Sequence, residues 1–242
     1  MPITDLLKDP TILSSFSFLI LVIAIIYYTL YQVLKNVKKP LNKNKFFLIA
    51  SIILIIWFFT VVFLGKTDFF AKSYYYLFVP NIVIAFLILF HFLRMAYNSK
   101  IIQTVTDKIP QHLIIGVQTY RTVGVGFIIL YFQGLLPAVF AFSAGIGDII
   151  IGVTAPFVAV LYYLKKPYSR KLAILWNYLG ILDLIIALSV GFLGFSKPVQ
   201  FIPLNPSTEP LSLFPLVIIP LFVVPLDILL HLFSLRVLRS NN

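Results

Sequence analysis

Long apolar stretches separated by short polar segments dominate the pattern of this chain. Seven stretches are each about 20 residues long, the length that a helix needs to cross a bilayer. They cover residues 12–34, 46–64, 76–96, 113–136, 139–164, 172–195 and 214–238. A backbone in lipid must satisfy its own hydrogen bonds, and these stretches are too long for barrel strands, so we expect helices. The sequence therefore predicts an all-α, polytopic transmembrane bundle of about seven spans.

Composition agrees with this class. The chain is 60% hydrophobic and only 11% charged, which is far less charge than a soluble domain carries. No stretch is polar enough for a soluble domain, so residues 1–242 are predicted to form a single membrane domain. The net charge of +11 does not indicate nucleic acid, because the basic residues form short clusters between apolar stretches rather than a basic face with exposed aromatics. The expected partner is the lipid bilayer.

The basic clusters predict an orientation. Fourteen of the 19 Lys and Arg residues fall on one side of a seven-span topology: Lys35, Lys38, Lys39, Lys43, Lys45, Arg94, Lys100, Lys108, Lys165, Lys166, Arg170, Lys171, Arg236 and Arg239. The other side holds Lys8, Lys66, Lys72 and Lys197, and Arg121 lies within a span. Cytoplasmic loops are enriched in Lys and Arg. We therefore expect the N-terminus outside the cell or in the periplasm and the C-terminus in the cytoplasm.

Four charged residues interrupt the apolar stretches: Arg121, Asp148, Asp183 and Asp227. Each costs roughly 2.5–3.5 kcal/mol at the centre of a membrane helix, so the set costs on the order of 10 kcal/mol if unpaired. Charges inside a membrane usually pair with one another or mark a pathway or a site. This set is therefore the strongest indication of function in the sequence.

Helical spacing predicts that each aspartate faces a neighbouring helix. Residues spaced by three or four share one face of a helix, and small residues mark faces where membrane helices approach closely. Three such faces run through Ala144, Asp148, Gly152 and Pro156; through Asn177, Gly180, Asp183, Ala187 and Gly191; and through Pro220, Val224, Asp227, His231 and Ser234. The three aspartates are thus expected to point into the bundle.

The depths of these polar residues along their spans predict a polar path through the membrane rather than a site at one depth. Counting about 1.5 Å per residue places Asp183 and Asp227 near the midplane, Asp148 nearer the outer side and Arg121 nearer the inner side. Gln118 and Asn177 fall near the level of Arg121. The leading hypothesis is a small permease or channel-like protein that moves a proton, ion or small solute along Arg121, Asp148, Asp183, Asp227, Asn177 and Gln118. A structural ion pair between Arg121 and one aspartate is the simpler alternative.

Charge balance adds a requirement to this hypothesis. One arginine cannot neutralise three aspartates, so the fully ionised set would carry a charge of −2. At least one aspartate is therefore expected to be protonated, paired with a histidinium or bound to a cation.

Two further functions stay open from the sequence. His91 and His231 lie at similar depth and could ligate a haem, or could bind a divalent metal together with Asp227; no cofactor is otherwise predicted. The chain could instead be a non-catalytic membrane component that acts through helix contacts, with homo-oligomerisation left open.

No catalytic motif is present, which leans against an enzyme. A retinal protein is excluded, because the last span has no lysine for a Schiff base.

Five short stretches resemble a family of uncharacterised bacterial polytopic membrane proteins. They are residues 112–121, 144–148, 152–156, 176–183 and 231–236, and they lie in the last four spans. The resemblance covers about half of the chain. It implies seven helices and a bacterial inner-membrane location, and it implies no activity.

Overall fold

A computed structural model describes residues 43–74, 79–195 and 201–240. The predicted span at residues 12–34 lies outside these ranges, as does part of the proline-containing connection before the last helix. The predicted single domain therefore remains a prediction for the chain as a whole.

The described residues are mostly helical, as expected. The helices are α1 (Lys43–Lys66), α2 (Asn81–Asn98), α3 (Lys100–Thr106), α4 (Gln111–Val117), α5 (Val125–Phe132), α6 (Ala138–Tyr163), α7 (Ser169–Leu193) and α8 (Val224–Ser240). A 3-10 segment, Gln118–Gly124, joins α4 to α5, and a π-helical turn, Ile219–Val223, leads into α8. Shorter 3-10 turns cover Phe69–Ala71 and Glu209–Ser212. One minimal antiparallel ladder pairs β1 (Ser73–Tyr74) with β2 (Val79–Pro80).

Six helices in the described part of the chain are long and apolar enough to cross a membrane. They are Leu48–Lys66, Asn81–Asn98, Gln111–Phe132, Ala138–Tyr163, Ser169–Leu193 and Ile219–Arg239. They correspond to the second to seventh predicted spans. Length and composition support these six helices as membrane spans.

The starts of two spans differ from prediction for identifiable reasons. The third span begins at Asn81 rather than residue 76, because Pro80 is extended and a proline disfavours the helical conformation in the residue before it. The last span begins at Ile219 rather than residue 214. The preceding Leu216 and Val217 are fully buried in turns, so their hydrophobicity reflects core packing and not a helix. Helix α3 was not predicted, because it is short and polar.

The helices differ sharply in how much of their surface is covered. Within the described residues, 67% of the most apolar part of the last span is buried, against 17% for the first two of the six spans. Large apolar side chains such as Phe59 and Phe63 of α1 are more than half exposed. Residues 46–64 thus belong to a peripheral helix of the described bundle. The core lies among α4–α8.

Aromatic contacts attach α1 to this core. Trp57 donates its indole N–H to the carbonyl of Leu221 at 2.9 Å. The rings of Trp57 and Phe58 both contact Phe222, at centroid distances of 4.8 and 5.3 Å. The π-helical turn that carries Leu221 and Phe222 thus serves as the docking point for the peripheral helix.

Candidate functional site

The 3-10 segment Gln118–Gly124 determines which residues of its span face the core. Within the segment, burial recurs at every third residue, at Gln118, Arg121 and Gly124, as expected for three residues per turn. The hydroxyls of Thr119 and Thr122 each donate to the carbonyl three residues earlier, at 2.7 and 3.0 Å, and such local bonds compete with α-helical ones. The guanidinium of Arg121 is directed into the bundle in consequence.

Glycines let α6 pack directly against the 3-10 segment. A Cβ on Gly145 would lie 2.9 Å from the carbonyl oxygen of Gly124, and a Cβ on Gly152 would overlap the backbone of Thr122. A Cβ on Gly124 would overlap the side chain of Asp148. Because an aspartate side chain is short, only this close backbone approach brings the Asp148 carboxylate to Arg121.

Arg121 bridges two carboxylates from different helices. Its Nε and Nη2 both lie 2.7 Å from Oδ1 of Asp148, and Nη2 also donates to Oδ2 of Asp183. The Arg121 side chain is 1% exposed, whereas Asp148 and Asp183 are 20% and 12% exposed. The third carboxylate, on Asp227, is 2% exposed and accepts a hydrogen bond from the hydroxyl of Tyr120. We call Arg121, Asp148, Asp183 and Asp227 the charged centre.

A chain of hydrogen bonds continues from Arg121 towards Gln111, at the start of α4. Nη1 of Arg121 lies 3.1 Å from Nε2 of His231. A guanidinium can only donate, so these partners assign the ring proton to Nδ1 of a neutral His231. Nδ1 then donates to Oδ1 of Asn177 at 2.9 Å, and Nδ2 of Asn177 donates to Oγ of Ser234 at 3.0 Å. Ser234 donates to Oε1 of Gln111 at 2.9 Å.

The side chains of this polar chain are tightly packed. His231, Asn177 and Ser234 are each at most 1% exposed. The ring of Trp176 lies 5.2 Å from that of His231, and a Cβ on Gly180 would overlap the imidazole. The half of the core on the Gln111 side of Arg121 is therefore filled by mutually bonded polar groups. We call it the filled half.

The opposite half of the core, towards Gln133 at the end of α5, contains a cavity of about 240 Å³. Its wall is mainly apolar and includes Phe127, Leu130, Leu216, Ile219, Val223 and Val224. Polar groups lie at one side, where Tyr120, Arg121, Asp148 and Asp227 line it, and at Gln133. A second cavity of about 40 Å³ also touches Asp148. We call this region the hollow half, and the charged centre separates it from the filled half.

The structure gathers the predicted charged residues more closely than expected. The sequence placed Asp148 nearer the outer side and Arg121 nearer the inner side, and in the structure their side chains form an ion pair. Leu135 and Leu136 had been counted in the span but lie buried in the turn after α5. With helix bounds of Gln111–Phe132 and Ala138–Tyr163, Arg121 and Asp148 both lie close to mid-helix.

The predicted small-residue faces are confirmed as packing faces. Gly152, Gly180 and Asp227 are all buried and meet neighbouring helices. Asn177 joins the charged centre through His231. Gln118 is 1% exposed on the same face as Arg121, but neither of its amide atoms has a hydrogen-bond partner in the part of the chain that the structure describes. Its membership of a path stays a prediction.

The two histidines of the haem and metal hypotheses occupy different environments. The side chain of His91 is exposed on α2 and packs edge-on against the Phe92 ring. His231 is fully buried, and both of its ring nitrogens already have partners. The structure does not bring the pair together. Among the described residues, no cluster of three or more His, Asp or Glu has metal-binding geometry.

The sequence did not identify Gln111 as a participant, and it placed Tyr120 near the level of Gln118 and Asn177 without predicting its contact. Gln111 ends the hydrogen-bonded chain, and Tyr120 is the partner of Asp227. Gln111 lies seven residues before Gln118, a spacing that returns to the same helix face. This seven-residue interval could have indicated that Gln111 faces the core. No sequence pattern indicated the contact of Tyr120 with Asp227, because that contact depends on the 3-10 geometry.

The fold and site define a class: a bundle of long apolar helices that encloses a charged centre. The chain belongs to a family described as a domain of unknown function, DUF8737, which matches residues 77–239. That range contains the whole charged centre and both halves of the core, and excludes α1. Neither the curated proteins nor the solved structures contain a match to this chain.

Proposed function

We propose that the protein is a multi-pass protein of a bacterial inner membrane, with its N-terminus outside the cytoplasm and its C-terminus inside. The six long apolar helices and the unequal distribution of basic residues support this location. In this orientation, the hollow half faces outwards and the filled half faces the cytoplasm.

The sequence offers a direct test of orientation, since it has no native cysteine. Asn98→Cys and Asn205→Cys place single thiols at exposed positions near opposite ends of the bundle. An impermeant maleimide added to intact cells should label Asn205→Cys and leave Asn98→Cys unlabelled until the cells are broken. The reverse pattern would contradict the proposed orientation.

We further propose that the bundle is a small permease or channel-like protein for a proton, a cation or a small solute. One observation carries this proposal: a cavity among the helices ends at a charged centre with more carboxylates than cations. A purely structural cluster would need no space beside its charges. A cavity beside an excess of buried negative charge favours a positively charged occupant.

The residues of the charged centre have different roles in this proposal. Arg121 is fixed by Asp148, Asp183 and His231, so it holds the helices together and neutralises one carboxylate. Asp227 lies on the last span and has no contact with a cation among the described residues. It is therefore the proposed carrier of the proton or cation. Asp148, at the cavity wall, would receive the occupant first, and the filled half would separate the centre from the cytoplasm.

Flux measurements in proteoliposomes test the proposal. A pH-sensitive dye inside the vesicles should report protein-dependent proton movement under an imposed pH gradient or potassium diffusion potential. Asp227→Asn and Asp183→Asn should each abolish it, because the substitution keeps the shape and removes the titratable charge. Asp107→Asn is the matched control, since Asp107 is an exposed carboxylate paired with Arg236.

Two results would count against transport. Unchanged flux in both centre variants would refute the roles of Asp183 and Asp227. Absence of protein-dependent flux in the unaltered protein, for protons and for the solutes named below, would favour a non-catalytic membrane component.

A further inference from the structure

The hollow half restricts the size of its occupant. A volume of about 240 Å³ is smaller than the roughly 300–1,000 Å³ of pockets for drug-sized ligands. A small organic molecule fits this volume.

The polar side of the cavity restricts the charge of its occupant. Oδ1 of Asp148 and Oδ2 of Asp183 are already engaged by Arg121. Asp227 differs, because Tyr120 donates to its Oδ1 while its Oδ2 has no hydrogen-bond partner among the described residues. Asp227 is 2% exposed and lines the cavity. A carboxylate at the wall of so apolar a cavity favours a hydrogen-bond donor, and preferably a cationic one.

The cavity wall distinguishes between types of cation. Ca²⁺ takes six to eight oxygen ligands, and Mg²⁺ needs near-octahedral coordination by oxygens. The described wall offers few oxygens and is mostly hydrocarbon, which suits the apolar part of an organic ion. Tyr120, which bonds Asp227, and Phe127 add aromatic side chains to the cavity lining, and aromatic rings also favour an ammonium group.

We propose that the hollow half binds a small organic cation, a protonated amine with a short hydrocarbon body. The ammonium group donates to Oδ2 of Asp227, and the hydrocarbon lies against Phe127, Leu130, Leu216 and Val223. This inference rests on the proposed function, because it names the substrate class of the same cavity. It concerns binding, which can be measured without transport.

Binding is tested with matched probes on the purified full chain in detergent micelles. The probes are n-butylammonium, its neutral analogue n-butanol and the anion butyrate, with potassium chloride and magnesium chloride as inorganic cations. A ligand that binds the folded state raises the unfolding temperature in a saturable manner. We expect n-butylammonium to bind at least tenfold more tightly than n-butanol or butyrate, and the inorganic salts to give no saturable shift.

Two variants locate the binding site. Asp227→Asn should weaken n-butylammonium binding at least tenfold. Gly126→Leu should abolish it by filling the cavity, since Gly126 lines the cavity and a Cβ there meets nothing within 4 Å. Because Gly126→Leu changes no charge and creates no clash at its Cβ, it is expected to fold. Asp107→Asn should bind like the unaltered protein.

The outcomes separate this inference from the proposed function. Equal stabilisation by n-butanol, or binding that persists in Gly126→Leu, overturns the amine site. Saturable stabilisation by magnesium or potassium chloride would instead support an inorganic cation and also overturn it. Amine binding without flux in proteoliposomes would support the amine site and contradict the proposed transport. Proton flux without amine binding would support the proposed path and contradict the amine site.

Discussion

The filled and hollow halves of the core are built by the same helices and meet at Arg121, yet one is packed with polar groups and the other contains a cavity. In the filled half, His231, Asn177 and Ser234 satisfy one another and exclude solvent. In the hollow half, apolar walls surround a cavity that begins at carboxylates. Membrane helices gain little from apolar contact with each other, because lipid is equally apolar. The difference indicates that polar bonds hold the bundle together on one side of Arg121 and leave space on the other.

Removal of Arg121 should have the largest effect, because it affects both halves. Arg121→Met leaves the largely covered carboxylates of Asp148 and Asp183 without their buried cation, and loss of one partner of a buried pair costs about 3–5 kcal/mol. Thermal unfolding in micelles, followed by the fluorescence of Trp57 and Trp176, measures the loss. Arg236→Met, which breaks the exposed pair with Asp107, should cost at most about 1 kcal/mol.

The charge argument for Arg121 has its own control. Addition of Asp148→Asn and Asp183→Asn to Arg121→Met removes the unpaired negative charges and should restore much of the stability. A triple variant no more stable than Arg121→Met would mean that packing, and not charge, explains the loss.

Polar side chains in the two halves should respond differently to replacement by leucine. Asn177→Leu removes the acceptor for His231 and a donor to Ser234, and each buried group left unpaired costs about 1–3 kcal/mol. Gln133→Leu changes an exposed side chain at the cavity edge and should stay within about 0.5 kcal/mol. Similar losses in the two variants, measured by the same unfolding assay, would contradict the distinction between the halves.

Two glycines, one in each half, give the sharpest comparison, since the same added methyl group should have opposite effects on stability. Gly180→Ala places a Cβ into the His231 ring, and overpacking of this kind costs about 1–3 kcal/mol. Gly126→Ala places a Cβ into open space and should stabilise the helix by about 0.4–1 kcal/mol. The unfolding temperatures of the two variants measure these opposite changes in stability. A shift of the same sign in both would show that the hollow half is not hollow in solution.

The smallest expected effect concerns Gln118, the buried amide without a described partner. Gln118→Leu removes two polar atoms that lack hydrogen bonds, so stability should change by less than about 1 kcal/mol and in the favourable direction. A clear destabilisation would reveal that a bound water molecule satisfies the amide. Loss of proteoliposome flux at unchanged stability would assign Gln118 to the path, as the sequence proposes.

Much of this arrangement follows from regular helical periodicity. The faces of Asp148, Asp183 and Asp227 were predictable, because α6, α7 and α8 are helical around these residues and small residues mark their contacts. The close approach of Asp148 to Arg121 was not. It depends on the 3-10 geometry of residues 118–124, which the hydrophobic pattern does not encode. The apolar residues around Leu136 and Val217 further shifted the predicted boundaries, since burial in a turn and burial in lipid leave the same composition.

The 3-10 segment has a rotational consequence for the whole span. A 3-10 helix turns about 120° per residue and an α-helix about 100°, so seven residues accumulate a difference of about 140°. Conversion of Gln118–Gly124 to α-helix would rotate α5 by that angle relative to α4 and carry Phe127 and Leu130 off the core face. The wall of the cavity and the direction of Arg121 are thus governed by one backbone parameter. A change in the winding of seven residues would alter both halves of the core at once.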